Sequence, residues 1–181
     1  MKKNILLLSV ILLNSNIIIN ESKPTTDNVE IQRKVSKSKE TASIKSGDIL
    51  NIAEFTGTNS DMIFKIIKRG TGEKPLQGET LTVNYTGLLT ENIIYKEKLK
   101  KNKTITVGKA FDSSLTRGVP FTFKLGARQV IQGWEMALAD MRIGEERIVI
   151  LPSKLAYGNR ASSQIPADSP LIFYITLIKA S

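Results

Sequence analysis

The side chains that could do chemistry in this chain are carboxylates, tyrosines, lysines and arginines, because its 181 residues include neither His nor Cys. These two absences exclude Ser-His-Asp triads, Cys nucleophiles and most zinc sites. They also exclude a disulfide framework. Any reaction must therefore use carboxylates, Tyr or Lys, or it must require no proton transfer at all.

Aromatic rings are the second chemically informative set, and most of them follow residue 84. The chain has one Trp, four Tyr and six Phe. Their clustering indicates a single site lined by rings. A lone Trp is more often a core residue than a site residue, so Trp134 needs its neighbouring motifs before it can be assigned to a site.

Five segments have the pattern of β-strands that could position these rings. In one of them Phe121 and Phe123 alternate with Thr122 and Lys124, so one face of that strand is apolar. Phe123 is expected to belong to the core. The five segments are Met62 to Lys68, Thr80 to Leu89, Val119 to Leu125, Glu146 to Leu151 and Leu171 to Ile178.

One segment, Val130 to Met141, has helical spacing. Trp134, Leu138 and Met141 stand at i, i+4 and i+7, so they share one helix face. Several antiparallel strands and one short apolar helix predict an α+β fold. We expect a curved antiparallel sheet of five to six strands wrapped around the helix.

Short motifs follow one another along these elements. They are Val83-Asn84-Tyr85-Thr86-Gly87, Phe111-Asp112-Ser113-Ser114, Pro120-Phe121-Thr122-Phe123, Val130-Ile131-Gln132-Gly133-Trp134-Glu135, Ala156-Tyr157-Gly158, Ile165-Pro166 and Leu171-Ile172-Phe173. Each motif alone is weak, but their order from Asp61 to Ile178 resembles the FKBP-type immunophilins. The resemblance implies a half-barrel-like sheet over one helix and peptidyl-prolyl cis-trans isomerase activity.

The resemblance implies a catalytic set of five residues. Trp134 would form the floor of an apolar pocket that takes the proline ring. Phe111 and Asp112 would border the rotating amide, and the Tyr157 hydroxyl would donate to a substrate carbonyl. Taken alone, Asp112 could equally cap a turn and Tyr157 could anchor a loop. The set is Tyr85, Phe111, Asp112, Trp134 and Tyr157.

The resemblance implies a second set that would hold the peptide. Phe121 and Phe173, with Tyr85, would form the walls of the pocket. Val130 and Ile131 would form its rim, where the Ile131 amide donates to a substrate carbonyl. Arg117 would pair with Tyr85 and Asp112, Gln129 would contribute partly through its backbone carbonyl, and Ile165 would lie in a flap over the pocket.

The absence of His suits this activity. Rotation about an Xaa-Pro bond makes and breaks no bond, and its barrier of about 18–20 kcal/mol comes from amide resonance. We therefore expect no cofactor and no metal. The alternative reading is a binding module that uses the same pocket to dock proline-containing peptides without turnover.

The expected partners are proline-containing polypeptides, and the resemblance adds macrolide immunosuppressants as a second class of ligand. A monomer is expected. The net charge of +9 fits scattered surface lysines, and nucleic-acid binding is not expected because no focused patch with a reading element stands out. The one basic run, Lys96 to Lys103, could instead meet an anionic membrane surface.

An insertion at about 91–109 departs from the family pattern. Its ends, Ile93-Ile94-Tyr95 and Thr104 to Val107, are β-like and flank Lys100 to Lys103. This predicts a projecting β-hairpin with a basic tip, or else a disordered basic loop. The flap also differs from the family pattern. Asn159 to Gln164 lacks the glycines that are usual in the family, and Ala167, after Pro166, stands where a second proline is common.

The first sixty residues fall into two predicted segments, ahead of an isomerase domain at 61–181. Residues 1–20 read as a signal peptide, with an uncleaved anchor as the alternative. Residues 21–60 read as a polar linker with one short element near Ile49 to Phe55. The protein is therefore expected to be exported to a periplasm or secreted, and to meet a membrane only if the first segment stays uncleaved.

Overall fold

The computed structural model describes residues 44–91 and 104–181, and eight strands in this part form one sheet. The strands are β1 (Ile49–Asn51), β2 (Gly57–Asn59), β3 (Met62–Lys68), β4 (Thr80–Glu91), β5 (Thr104–Ser113), β6 (Phe121–Lys124), β7 (Glu146–Leu151) and β8 (Leu171–Ala180). Their order is β1-β5-β4-β8-β7-β3-β2, and β6 pairs with β4 outside this path. Every pairing is antiparallel, which confirms the predicted α+β class.

The strand count exceeds the predicted five to six because β1 and β2 have only three residues each. Three residues are too few to show a period of two. The longer strands follow the prediction more closely. The bounds of β3 and β7 are as predicted, while β4 and β8 each extend two residues further.

Two helices accompany the sheet, α1 (Ser114–Arg117) and α2 (Gln132–Asp140). Trp134, Leu138 and Met141 are all buried, as their spacing predicted. Two 3₁₀ turns, Ile52–Glu54 and Ser153–Leu155, complete the helical elements of the described part.

The core divides between the two faces of the sheet because strand residues alternate. On the face that carries α2, odd-numbered residues of β7 and β8 such as Val149, Leu151 and Phe173 pack around Trp134. On the opposite face, even-numbered residues of β7 and β8 pack with residues of β4, β5 and the segment before β2 to form what we call the back-face cluster. Its buried members are Phe55, Leu88, Ile105, Val107, Ile148, Ile150, Ile172 and Tyr174.

The back-face cluster is covered by residues 44–55, which corrects the prediction of a polar linker up to residue 60. β1 pairs with the start of β5, with Ile49 opposite Thr106. The Gly47 N–H donates to the Val107 carbonyl at 2.8 Å, and the Asp48 carbonyl accepts from the Val107 N–H at 2.8 Å. Ile44, Leu50 and Ile52 add apolar side chains to this cover, so the last part of the predicted linker belongs to the folded domain.

The base of the insertion is an antiparallel pair, in which Thr90 lies opposite Val107 and Glu91 opposite Thr106. The strand expected at Thr104 to Val107 is confirmed. The predicted tip with Ile93 to Tyr95 and the lysine run lies outside the described residues, as do the predicted signal segment and the linker up to residue 43. Within the described ranges, no helix is both long and apolar enough to cross a membrane.

Candidate active site

The candidate site is built around the indole of Trp134, which is 4% exposed and is contacted by four other rings. The Tyr85 ring centroid lies 4.8 Å from that of Trp134, and the Phe173 centroid lies 5.4 Å away. Phe121 and Phe123 follow at 6.0 and 6.2 Å. Tyr85, Phe121 and Phe173 meet the indole at steep angles of 76–83°, the favoured edge-to-face arrangement.

Four elements bring these rings together. Tyr85 comes from β4, Phe121 from β6, Phe173 from β8 and Trp134 from the first turn of α2. The helix can approach the sheet closely because its second residue is Gly133. A side-chain carbon there would lie only 2.5 Å from a methyl carbon of Leu151 on β7.

The Trp134 indole N–H is a buried donor without a hydrogen-bond partner among the described residues. Buried donors of this kind are rare in native structures. The rings around Trp134 offer no lone-pair acceptor apart from the Tyr85 hydroxyl, which is engaged elsewhere. The floor of the site is therefore almost wholly apolar.

The Tyr85 hydroxyl is part of a three-residue set with Asp112 and Arg117. It donates to Asp112 Oδ2 and accepts from an Arg117 guanidinium nitrogen at 2.9 Å. Arg117 also pairs with Asp112 Oδ1, and its guanidinium carbon lies 5.5 Å from the Tyr85 ring centroid. The predicted pairing of Arg117 with Tyr85 and Asp112 is thus present in the structure.

The electrostatics of this set keep its protons in place. Burial raises the pKa of Tyr85, and the hydrogen bond to Asp112 raises it further, which together outweigh the lowering by Arg117. The hydrogen bond with Tyr85 raises the already high pKa of Arg117. Tyr85 therefore stays a neutral hydroxyl and Arg117 a cation across the physiological pH range, so neither side chain acts as a base there.

Phe111 reaches the site from β5, and its ring meets Phe173 edge to face at 5.8 Å. Gly87 on β4 makes this contact possible, although the sequence motif gave no reason to single it out. A methyl group at Gly87 would lie 2.6 Å from Phe111 Cζ and 2.9 Å from Phe173 Cε1. The two rings occupy the space that any other residue at Gly87 would fill.

The loop before α2 carries Val130 and Ile131, both half-buried against the core. Two side chains brace this loop from outside. Glu135 accepts from the backbone N–H groups of Gly126 and Arg128 at 2.7 and 3.1 Å. The Gln129 amide oxygen accepts from the Lys124 N–H at 2.8 Å, so its side chain serves the loop rather than the rings.

Ile131 has two backbone groups with different surroundings. Its carbonyl starts the helix by accepting from the N–H groups of Trp134 and Glu135 at 3.0 and 3.3 Å. Its own N–H has no acceptor among the described residues, as the predicted substrate contact requires.

The predicted flap lies at 157–168. Ile165 is 5% exposed and packs with the core around Trp134. A turn closed by two bonds between Ser162 and Ile165, at 2.8 and 2.9 Å, takes the place of the usual glycines. Tyr157 is 40% exposed, so it lies at the surface rather than in the core.

The structure brings most of the predicted residues to one place. Tyr85, Phe121, Trp134 and Phe173 form the ring cluster, Phe111 extends it, and Asp112 and Arg117 border it through Tyr85. Gly87, Glu135 and the serines that follow Asp112 also shape the site, although they were not among the predicted site residues. No group of three or more acidic side chains in the described ranges is placed to hold a metal ion.

The chain is similar to proteins of known family. The family model described as FKBP-type peptidyl-prolyl cis-trans isomerase matches residues 71–178. The FK506-binding protein 2 of Candida glabrata is 43% identical over 106 residues, which cover 58% of this chain and 67% of that protein. The FKBP-type peptidyl-prolyl cis-trans isomerase FkpA of Aeromonas hydrophila is 38% identical over 121 residues, 67% of this chain and 38% of that one.

Two solved structures share the fold. AtFKBP13 superposes with a TM-score of 0.59 at 32% identity, over 71% of this chain and 99% of that one. FkpA from Escherichia coli gives 0.53 at 28% identity, over 86% and 59% of the two chains. The curled antiparallel sheet over one helix defines an FKBP-type domain. The chain belongs to the family of FKBP-type peptidyl-prolyl cis-trans isomerases. The chain spans only part of the length of several curated relatives, 46% of the FK506-binding protein 2 of Gibberella zeae and 38% of the Aeromonas protein.

Proposed function

We propose that this protein accelerates the cis-trans isomerisation of Xaa-Pro bonds at the ring cluster around Trp134. The observation that carries the proposal is the Trp134 indole enclosed by the rings of Tyr85, Phe121 and Phe173, with centroids 4.8 to 6.0 Å away. Such an apolar surface suits the saturated ring of proline, in which every atom except the amide nitrogen is a carbon.

The mechanism follows from what amide rotation requires. The planar amide is the more polar form because resonance places negative charge on its oxygen. An apolar site that excludes water removes hydrogen bonds from that oxygen, so the planar form loses more stability than the twisted one. Catalysis then consists of favouring the twisted amide, and no base or nucleophile takes part.

Polar groups at the edge of the cluster orient the peptide. The Ile131 N–H, which has no acceptor among the described residues, donates to a backbone carbonyl of the substrate. The hydroxyl of Tyr157, a residue exposed at the surface, donates to a second carbonyl. Holding the flanking backbone in this way restricts it to the geometry in which the amide rotates. Tyr85, Asp112 and Arg117 form a rigid border beside the rotating bond, with Phe111 adjoining it.

The test is a protease-coupled isomerase assay on an Ala-Pro peptide with full-length protein. Trp134→Leu together with Tyr85→Phe is expected to lower kcat/KM by roughly tenfold or more, since the floor and the border are both altered. Thr122→Ala, a change on the exposed face of β6, is the matched control and should retain turnover. Unchanged turnover in the double variant would show that the site lies elsewhere.

The same assay separates catalysis from simple docking. A protein that only binds peptides would show no acceleration but would bind a proline peptide in calorimetry, and Trp134→Leu would weaken that binding. Relatives carry the name FK506-binding protein, so FK506 is a suitable competitor for the site. We expect competition, weakened by the altered flap at 157–168.

The client proteins are proposed to be exported chains. Support comes from the basic and then apolar start of the sequence, Met1 to Leu13, which has the layout of a secretory signal. Mass spectrometry of the mature protein after cell fractionation tests this. A chain that begins between residues 15 and 23, in a periplasmic or secreted fraction, is expected. An intact N-terminus in the membrane fraction would indicate an anchor instead.

A further inference from the structure

One edge of β4 has no partner strand at Tyr85, a residue of the candidate site. β6 pairs with Thr80 to Val83 along this edge, and β5 pairs with it again from Thr86 onward. Tyr85 lies between the two pairings and has no strand beside it on this edge. Its N–H and carbonyl would be left without partners there, which is costly for a residue that is 7% exposed.

Two serine hydroxyls fill this gap. The Tyr85 N–H donates to Ser114 Oγ at 2.9 Å, and the Tyr85 carbonyl accepts from Ser113 Oγ at 3.1 Å. Both serines follow directly after Asp112, where the chain leaves β5 for α1. They therefore act on β4 as a neighbouring strand would.

Each hydroxyl has one proton to donate, and the nearest contact that can only accept indicates where that proton goes. Ser113 donates to the Tyr85 carbonyl, so the 3.0 Å bond between Ser113 Oγ and Thr86 Oγ1 is donated by Thr86. Ser114 accepts from the Tyr85 N–H and donates to Asn84 Oδ1 at 3.0 Å, which is nearer than the Tyr85 carbonyl at 3.4 Å. Every hydroxyl proton in the network has an acceptor, and Ser114 is completely buried.

The network links the backbone of Tyr85 to the two residues that hold its hydroxyl. Asp112 precedes the serine pair, and Arg117 ends the four-residue α1 that begins at Ser114. A shift of the serine pair relative to β4 would therefore move Asp112 and Arg117 relative to the Tyr85 ring.

We infer that Ser114, assisted by Ser113, is a positioning residue that sets the geometry of Tyr85, Asp112 and Arg117. Its effect on turnover rests on the proposed function, whereas its effect on the Tyr85 hydroxyl does not. The rival explanation is that the serine pair merely ends a strand and stabilises the fold. The two explanations differ in what happens to the Tyr85 hydroxyl when the fold survives.

The experiment compares Ser114→Ala with Ile150→Val in the full-length protein. Ile150 lies in the back-face cluster, and loss of one methylene there lowers stability without touching the rings. Two quantities are measured below the melting temperature of both variants. One is kcat/KM on an Ala-Pro peptide, and the other is the pKa of Tyr85 from ¹³C NMR of labelled tyrosines, assigned with Tyr85→Phe.

The inference expects Ser114→Ala to lower kcat/KM by about tenfold, as a small misplacement at a reacting centre does. It also expects the pKa of Tyr85 to move down toward that of an ordinary tyrosine. The contacts with Asp112 and Arg117 are both loosened, and the raising by Asp112 is larger than the lowering by Arg117. Ile150→Val should change kcat/KM by less than about twofold and leave the titration in place.

Other results would overturn the inference, overturn the proposed function, or call for a second variant. An unchanged Tyr85 pKa in a folded Ser114→Ala variant overturns the inference, as does a loss of turnover no larger than in Ile150→Val. If the wild-type protein shows no isomerase activity, the proposed function fails, and the Tyr85 titration alone decides the inference. If Ser114→Ala does not fold, Ser113→Ala replaces it, since Ser113 is only half-buried and its loss should shift the titration in the same direction.

Discussion

At the scale of single residues, the ring cluster depends on two small residues, Gly87 and Ser114. The aromatic members of the site could be predicted from the sequence, whereas these two could not. Trp134, Tyr85 and Phe173 stand within motifs that identify them one by one. Gly87 stands in such a motif too, but its importance appears only when the fold places Phe111 and Phe173 against it. A missing side chain leaves no signal in a single sequence. The same holds for Ser114. Its hydroxyl is needed because neither β5 nor β6 pairs with β4 at Tyr85.

The need for Gly87 leads to a prediction for Gly87→Ala. The new methyl group would overlap the rings of Phe111 and Phe173, which must then turn away. Overpacking of this kind costs about 1–3 kcal/mol of unfolding free energy. Since Phe173 also contacts Trp134, we expect kcat/KM on an Ala-Pro peptide to fall by roughly tenfold, measured by the protease-coupled assay.

The matched control is Gly57→Ala, which also forces a phenylalanine ring aside, that of Phe64. Gly57 lies on β2 at the far edge of the sheet, so stability should fall while turnover per folded molecule remains. Equal losses of turnover in both variants would indicate that Gly87 acts through stability alone.

At the scale of elements, β7 and α2 are joined by charges that the sequence pattern did not reveal. Arg147 is 2% exposed and is the second residue of β7, a strand predicted from its apolar residues. Its guanidinium bonds Glu145 at 2.5 and 2.6 Å and Asp140, at the end of α2, at 3.2 Å. Charged residues are rarely buried, so a periodic pattern predicts them outside. The strand could be predicted, but the ion pair within the core could not.

Asp140 is the member of this network that is partly exposed to solvent. Burial raises the pKa of its carboxyl, but hydrogen bonds from Lys74 and Arg147 outweigh that effect and leave the pKa lowered. The Arg147 guanidinium also lies 4.0 Å from the Phe64 ring centroid, so β3 takes part as well. The end of α2, and with it the orientation of the helix that carries Trp134, is thereby tied to the sheet.

Removal of one partner from the buried pair is predicted to cost far more than removal of a surface ion pair. Glu145→Ala leaves Arg147 charged and buried, and we expect the free energy of unfolding to fall by about 3–5 kcal/mol. Lys154→Ala, which breaks the exposed pair with Asp61, should change it by less than about 1 kcal/mol. Urea unfolding followed by the fluorescence of the single Trp gives both values.

The double variant Glu145→Leu with Arg147→Met tests whether the charges themselves are needed. Because an apolar pair of similar size removes both desolvation costs, it should recover much of the lost stability. A double variant as unstable as Glu145→Ala would mean that the Arg147 contacts with Asp140 and Phe64 carry more of the stability than the pair does.

At the scale of the whole molecule, the sheet has two packed faces rather than one. The predicted fold had a single core between the sheet and its helix. The structure adds the back-face cluster, because residues 44–55 and the first half of β5 bring their own apolar side chains to the other side. Thr104 to Val107 was predicted as a strand, but the sequence did not indicate what its apolar side chains would cover. Residues 44–55 are short and polar in composition, so their apolar residues gave no periodic signal. The family motifs contain the residues of the face with the rings and do not indicate what packs on the opposite face.

The rings around Trp134 and the back-face cluster lie on opposite faces of the sheet. We therefore expect that a substitution in the back-face cluster can lower stability without lowering turnover. Phe55 is 7% exposed in the cover of the back face, and Phe55→Ala should lower the free energy of unfolding by roughly 3 kcal/mol. Ile49→Ala, a change at a neighbouring residue that is 70% exposed, should change it by less than about 0.5 kcal/mol. Because the rings around Trp134 lie on the opposite face, kcat/KM at a temperature where both variants are folded should match the wild-type value. Urea unfolding and the protease-coupled assay on the same preparations give both quantities. A loss of turnover in folded Phe55→Ala protein would show that the cover of the back face reaches the site through the sheet.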